Sequence, residues 1–149
     1  MTDTARLLLT TTVLSIVALG TFLWRLLRTD PGAPDRLIGE FRLAQAAALL
    51  LAASGAVSIG FGVAAELRTG ANLDVAIGAT FVLLAGFVLT REPREALFVA
   101  AAAFLFHAVF NLSHRPGWLS TDLAPRWFAI GSAIYDGVVA AACYVGRRR

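Results

Sequence analysis

Long apolar runs separated by short polar breaks organise this chain. Five of them stand out, over about residues 5–27, 41–65, 73–90, 95–112 and 125–145. Each is close to the ~20 residues a helix needs to cross the hydrocarbon core of a bilayer. The breaks have the chemistry of turns. Residues 29–35 hold Asp30, Pro31, Gly32, Pro34 and Asp35, and residues 68–72 hold Gly70 and Asn72. The break at 91–94 is very short, and its Pro93 suits the first turn of the next helix. Residues 114–118 open the longest connection, and Pro125 restarts a helix. The pattern predicts an all-α integral membrane bundle of five transmembrane helices forming one domain over residues 1–149, without internal repeats.

Composition sharpens that reading. Hydrophobic residues make up 58% of the chain and charged residues 15%, with a mean hydropathy of +0.71. Soluble domains are about 45–50% apolar and about 25% charged. A chain of 149 residues has too little interior to hide so much apolar surface from water. The first run is too long for the ~7–15-residue core of a cleaved signal, and no small-x-small site follows it, so it is expected to remain as a span.

All 13 basic residues are arginine, and the net charge is +3. Nine of them, Arg25, Arg28, Arg36, Arg42, Arg91, Arg94, Arg147, Arg148 and Arg149, fall on one side of a five-span layout. Arg6, Arg68, Arg115 and Arg126 fall on the other. Basic residues are retained in the cytoplasm, so the N-terminus is expected outside and the C-terminus inside, in the cell membrane. The arginines lie between spans and form no single stripe, so nucleic acid is not an expected partner. Trp24, Trp118 and Trp127 fall near the proposed interfaces. Cys143, the one cysteine, excludes an internal disulfide.

Helices associate in lipid through close approach, so small residues mark contact faces. The second run has Ala44, Ala48, Ala52, Ala56 and Gly60 at a spacing of four, with Ser54, Ser58 and Gly62 beside them. The fifth has Ala133, Gly137 and Ala141, with Ser132 and Ala140 adjacent. These faces are expected to meet inside the bundle, or to meet another membrane protein or a second copy of the chain.

A few polar residues lie inside the apolar runs. Asp136 stands about ten residues into the fifth, roughly 15 Å below the outer surface. A carboxylate at that depth is costly and must be protonated, paired or facing water. His107 is its natural partner: the fourth and fifth runs are antiparallel neighbours, and His107 lies at a similar depth, roughly 12 Å. His107, Asn111 and His114, at i, i+4 and i+7, share one helical face. With Asp136 and Tyr135 they are the candidate ligand or proton path. Gln45 and Tyr135 complete the expected buried polar set. A haem between His107 and His114 is not expected, since both project from one helix roughly 10 Å apart along it. Asn111 occupies the i+4 slot a two-histidine metal site would need. Glu66, Asp74, His114 and Asp122 gather at the outer rim as a weak oxygen-rich candidate for a divalent cation. No metal or other cofactor is assigned, and no phosphate loop or nucleophile elbow is present.

The stretch 72–79, with Asp74, Val75, Gly78 and Ala79, followed by Phe106-His107-Ala108-Val109-Phe110-Asn111-Leu112-Ser113-His114-Arg115-Pro116-Gly117-Trp118, resembles a group of small multi-pass membrane proteins of actinobacterial type. Those tend to have an Asp-Val-Gly-Ala-like start to one span and a His-rich run in the next. An outer Gly and Asp follow, here Gly117 and Asp122. The resemblance covers roughly residues 42–145 and leaves the first span as an addition. The group often carries His where Asn111 stands, so a shared ligand role does not carry over. The resemblance implies membrane class and no particular activity.

Three functions remain open. A structural or accessory membrane subunit accounts for the small-residue faces. A small carrier, channel or proton-linked sensor accounts for the cost of burying Asp136. A membrane enzyme acting on a lipid or quinone, with His107 as base, has the least support, because no nucleophile set accompanies it. A His107–Asp136 contact beside a cavity would favour the second.

Overall fold

The computed structural model describes residues 3–64, 71–114 and 126–148, and these form five α-helices with no strand among them. The helices are α1 (Asp3–Arg28), α2 (Pro34–Ala64), α3 (Ala71–Leu89), α4 (Pro93–Ser113) and α5 (Arg126–Arg148). All five are long and apolar enough to cross a membrane, the mark of a membrane protein.

Proline sets two of the starts. Pro34 and Pro93 occupy first helical positions, where an absent N–H costs nothing. The helices also reach further than the apolar runs. Pro34 and Asp35, expected in the connection, open α2, and Ala71 and Asn72, expected in a turn, open α3. In α2 the extension is held by polar chemistry: Arg36 and Glu40, one turn apart, pair through Nε and Oε1 at 3.3 Å.

α2 is the hub and touches all four other helices. Its most extensive contacts are with α3, and α4 packs as closely on α5. α1 touches only α2 and α5. It lies on the outside, with Ala5, Leu19 and Leu26 its only buried residues.

The small-residue faces meet, but not along the rows expected. In α2 the buried positions from residue 43 onward are Leu43, Ala44, Ala47, Ala48, Leu51, Gly55, Ser58 and Gly62, whereas Ala56 and Gly60 are exposed. A row at i, i+4 advances about 40° around the helix per step, so four steps carry it off the contact face. Ala56 and Gly60 end up with Arg42, Gln45, Leu49 and Ala53 on the outward face, and Gln45 is therefore not buried. The same drift exposes Ala141 in α5, where Ala133, Val139, Ala140, Cys143 and Asp136 face inward and Gly137 touches nothing at Cβ distance.

The closest approach in the bundle is between α2 and α3. A Cβ on Gly55 would come within 2.5 Å of the Gly78 carbonyl oxygen, and one on Gly78 within 2.6 Å of the Gly55 oxygen. Only glycine at both positions lets the two backbones lie this near.

The C-terminal ends of α1, α3 and α5 gather with the N-terminal ends of α2 and α4. Glu40, itself buried, accepts from Arg36 and from Arg94 Nε at 3.3 Å, joining α2 to α4. Arg36 also donates through Nη1 to the carbonyl of Leu26, fixing the end of α1. Around this staple, arginines stack on aromatic rings: Arg28 on Trp24, Arg91 on Phe87, Arg147 on Phe98 and Arg148 on Tyr144, at 4.0–4.6 Å.

Two outcomes follow for unfolding in detergent. Gly78→Ala should lower stability by about 1–3 kcal/mol through overpacking, whereas Gly86→Ala, with open space around it, should not. Glu40→Gln leaves Arg36 buried without its counter-charge and should cost about 3–5 kcal/mol. Glu95→Gln, which breaks the exposed pair with Arg91, should cost less than about 1 kcal/mol.

Candidate functional site

The centre of the bundle is polar. His107 lies on the inner face of α4, about 10 Å along the helix from His114, and Asp136 on the inner face of α5, about 15 Å along from Arg126. His107 Nδ1 stands 2.9 Å from Asp136 Oδ2. Their side chains are 2% and 0% exposed, so no bulk solvent shares the contact. Three further helices or turns fix the ring. Phe81 of α3 meets it edge-on with centroids 4.6 Å apart, and Ser58 of α2 places its Oγ 3.4 Å from Nε2. Asn111, one turn after His107, donates through Nδ2 to Asp136 Oδ2 at 3.2 Å and to Ser132 Oγ at 3.0 Å.

Counting hydrogens narrows the protonation pattern. Ser58 has one hydroxyl hydrogen and gives it to the Ser54 carbonyl at 3.2 Å. With that bond made, the Ser58–Nε2 contact takes its hydrogen from the ring; with the hydroxyl turned to Nε2, the ring accepts. The amide nitrogen of Asn111, which donates to Asp136 and Ser132, also stands 3.5 Å from Nδ1. The 2.9 Å line between Nδ1 and Oδ2 is short enough for a shared proton. Whether drawn as imidazolium with carboxylate or imidazole with carboxylic acid, the pair has zero net charge, the state a low-dielectric interior favours. Asp136 Oδ1 accepts no hydrogen bond.

Removing the Nε2 proton changes one neighbour. Nε2 becomes an acceptor, and Ser58 satisfies it by turning its hydrogen away from Ser54.

Nearby is a cavity of about 360 Å³ walled by α1, α2 and α5, with His107 reaching it from α4. Leu8, Thr12 and Ser15 of α1 line it, and Tyr135 and Trp127 of α5 close the opposite side. Tyr135 is half-buried and interacts with Ser15 across the seam. The cavity exists because α1 seats against the bundle at its two ends. Its inward positions repeat every seven residues, Ala5, Thr12, Leu19 and Leu26, with Leu8, Ser15 and Phe22 between. The middle of this seam is hydroxylic and less filled.

The expected polar stripe divides in two. His107 and Asn111 join Asp136, while His114 turns to α3, with Nε2 at 3.6 Å from Asp74 Oδ1 and its ring edge-on to Phe110. Glu66 and Asp122, the other rim residues, lie outside the described residues. Among the described residues no three His, Cys, Asp or Glu side chains gather as a metal set. Sequence reasoning passed over Ser58, which it took only as a small residue, and Thr12 and Ser15, which the seven-residue repeat of α1 could have flagged. It also passed over Glu40, although Arg36 and Glu40 stand at the pairing distance of i, i+4.

No protein-family model matches the chain, and no curated protein or solved structure matches it. The chemistry of the site rests on its own residues.

Asp136→Leu should strand the Nδ1 side of His107 and one amide hydrogen of Asn111 in a dry interior. Stability in detergent should fall by about 1–3 kcal/mol for each orphaned group. The double variant His107→Phe with Asp136→Leu should recover part of that loss, as apolar replacement of a whole buried pair commonly does.

Proposed function

We propose that this chain is a five-span membrane protein, N-terminus outside and C-terminus in the cytoplasm. In this reading it binds a small ligand in the α1/α2/α5 cavity and links binding to the proton held between His107 and Asp136. The observation that carries the reading is the position of His107. Its Nδ1 closes a 2.9 Å contact with a fully buried carboxylate, and its ring also forms part of the cavity wall. A pair serving only to lock α4 to α5 has no need of a cavity at the titrating ring. A proton-linked carrier or sensor needs both: a group that holds a proton inside the membrane, and a space from which the group is reached.

The orientation is supported by the end that gathers Arg28, Arg91, Arg147 and Arg148 on aromatic rings. Such stacks suit the headgroup level, and the same end holds eight of the described arginines. The cavity, lined from α1 and α5 near their N-terminal halves, then lies in the outer half of the bilayer. The likeness to small actinobacterial multi-pass proteins fits this class and adds no activity.

One observation favours a second reading, that of an accessory subunit. Ala53, Ala56 and Gly60 face outward on α2, and a small ridge of this kind lets a partner helix approach closely.

The test is ¹⁵N spectroscopy of ring-labelled histidine in nanodiscs. His107 Nε2 should be protonated, and its hydrogen should exchange with D2O in far less time than the backbone amides of mid-α4. Asp136→Asn should convert Nδ1 into an unprotonated imidazole nitrogen, because no shared proton remains. An Nε2 hydrogen as slow to exchange as those amides would leave only a structural lock.

A further inference from the structure

The cavity walls sort by the sense of their hydrogen bonds. On the α1 side the hydroxyl hydrogens are used up: Thr12 Oγ1 donates to the Leu8 carbonyl at 2.7 Å, and Ser15 Oγ to the Thr11 carbonyl at 2.7 Å. Thr11 does the same toward Leu7 and Leu8. What α1 offers a ligand is oxygen lone pairs. On the opposite side His107 reaches the cavity, with Nε2 3.4 Å from Ser58 Oγ, long for a hydrogen bond and open to replacement. Ser54, Ser132 and Tyr135 add hydroxyls on the α2 and α5 sides, Tyr135 already bonding to Ser15.

Charge narrows the ligand further. Among the described residues no Asp, Glu, Lys or Arg lines the cavity, and its ionisable side chains are the His107 imidazole, paired with Asp136, and the Tyr135 phenol. An ionic ligand would meet no counter-charge. The remaining surface, from Leu8, Leu50, Val57, Trp127 and Phe128, is apolar, and about 360 Å³ is within the usual range for small-molecule sites, roughly 300–1,000 Å³.

We propose that the cavity binds a neutral, lipid-soluble hydroxyl compound, a phenol or alcohol. Its oxygen accepts from His107 Nε2–H, its own hydrogen goes to the hydroxyl oxygens of α1, and its apolar body packs against Trp127 and Phe128. A hydroxyl both donates to the α1 oxygens and accepts from the opposite wall. An ether or ketone only accepts, and a hydrocarbon does neither. This inference rests on the ligand-binding reading of the site and specifies its ligand.

The test uses the full chain in nanodiscs and four probes with one ring system: 2-naphthol, 2-methoxynaphthalene, 2-methylnaphthalene and 2-naphthoate. Affinities are corrected for partition into protein-free discs. Methyl replaces hydroxyl at nearly constant shape, so the naphthol-to-methylnaphthalene ratio reads the two hydrogen bonds. About tenfold per bond is expected, with 2-methoxynaphthalene between the two. Ser15→Ala together with Thr12→Val should bring naphthol down to the methoxynaphthalene level and leave methylnaphthalene unchanged. Both changes lie on the peripheral α1, so the bundle is retained. Ser58→Ala removes the rival acceptor and should tighten naphthol and methoxynaphthalene alike. His107→Gln, which keeps an N–H donor, should retain part of the preference that His107→Phe abolishes.

Equal affinity for naphthol and methylnaphthalene overturns the proposal, as does naphthoate binding tightest of the four. If either occurs while the Nε2 hydrogen still exchanges quickly, the hydroxyl ligand is wrong and the proton-linked cavity stands. If the Nε2 hydrogen is sealed and no probe binds, the ligand-binding reading itself falls.

Discussion

A carboxylate that lies some 15 Å along α5, in a helix fit to cross a membrane, has to be neutralised where it stands, because neither water nor a flexible side chain can reach it. Asp136 is neutralised by His107, and that requirement organises the middle of the bundle. The ring must reach α5 from α4, which fixes the rotation and depth of both helices. Phe81 of α3 and Ser58 of α2 then close on its remaining edges. Four helices meet at one imidazole. The tight α2–α3 contact at Gly55 and Gly78 serves the same end, since it brings Ser58 and Phe81 toward the ring together.

The two polar clusters of the molecule are built on opposite logic. At the centre, His107 Nδ1 and Asp136 Oδ2 meet at 2.9 Å in a fully buried contact between one imidazole and one carboxylate. At the arginine end, Glu40 lies between two guanidinium groups whose charge is permanent. That staple ties the end of α1 to α2 and α4.

Much of this was legible in the residues. Hydropathy alone marks five helices, because lipid tolerates no other backbone solution for such runs. Helical counting and the antiparallel succession of the fourth and fifth runs placed His107 opposite Asp136, and they do meet. The rotation of each helix was less legible. A spacing of four looks like a face over two turns but is a spiral over five, which is why Ala56 and Gly60 face outward, on the side that also carries Gln45. The Arg36–Glu40–Arg94 staple was hidden because arginines near a span end are read as topology, and their pairing depends on the extra turns of α2. The cavity was invisible for a different reason. It is a property of how incompletely α1 fills its seat, and an underfilled seam leaves no mark in a hydropathy pattern.

The peripheral seat of α1 also bears on how the molecule is assembled. α1 packs on α2 and α5 alone, and α5 follows the other described helices in the chain. Until α5 is made, α1 has only α2 to dock against, with its hydroxyls folded back on its own carbonyls. The same late helix delivers Asp136. The last wall of the cavity and the partner of His107 therefore arrive together.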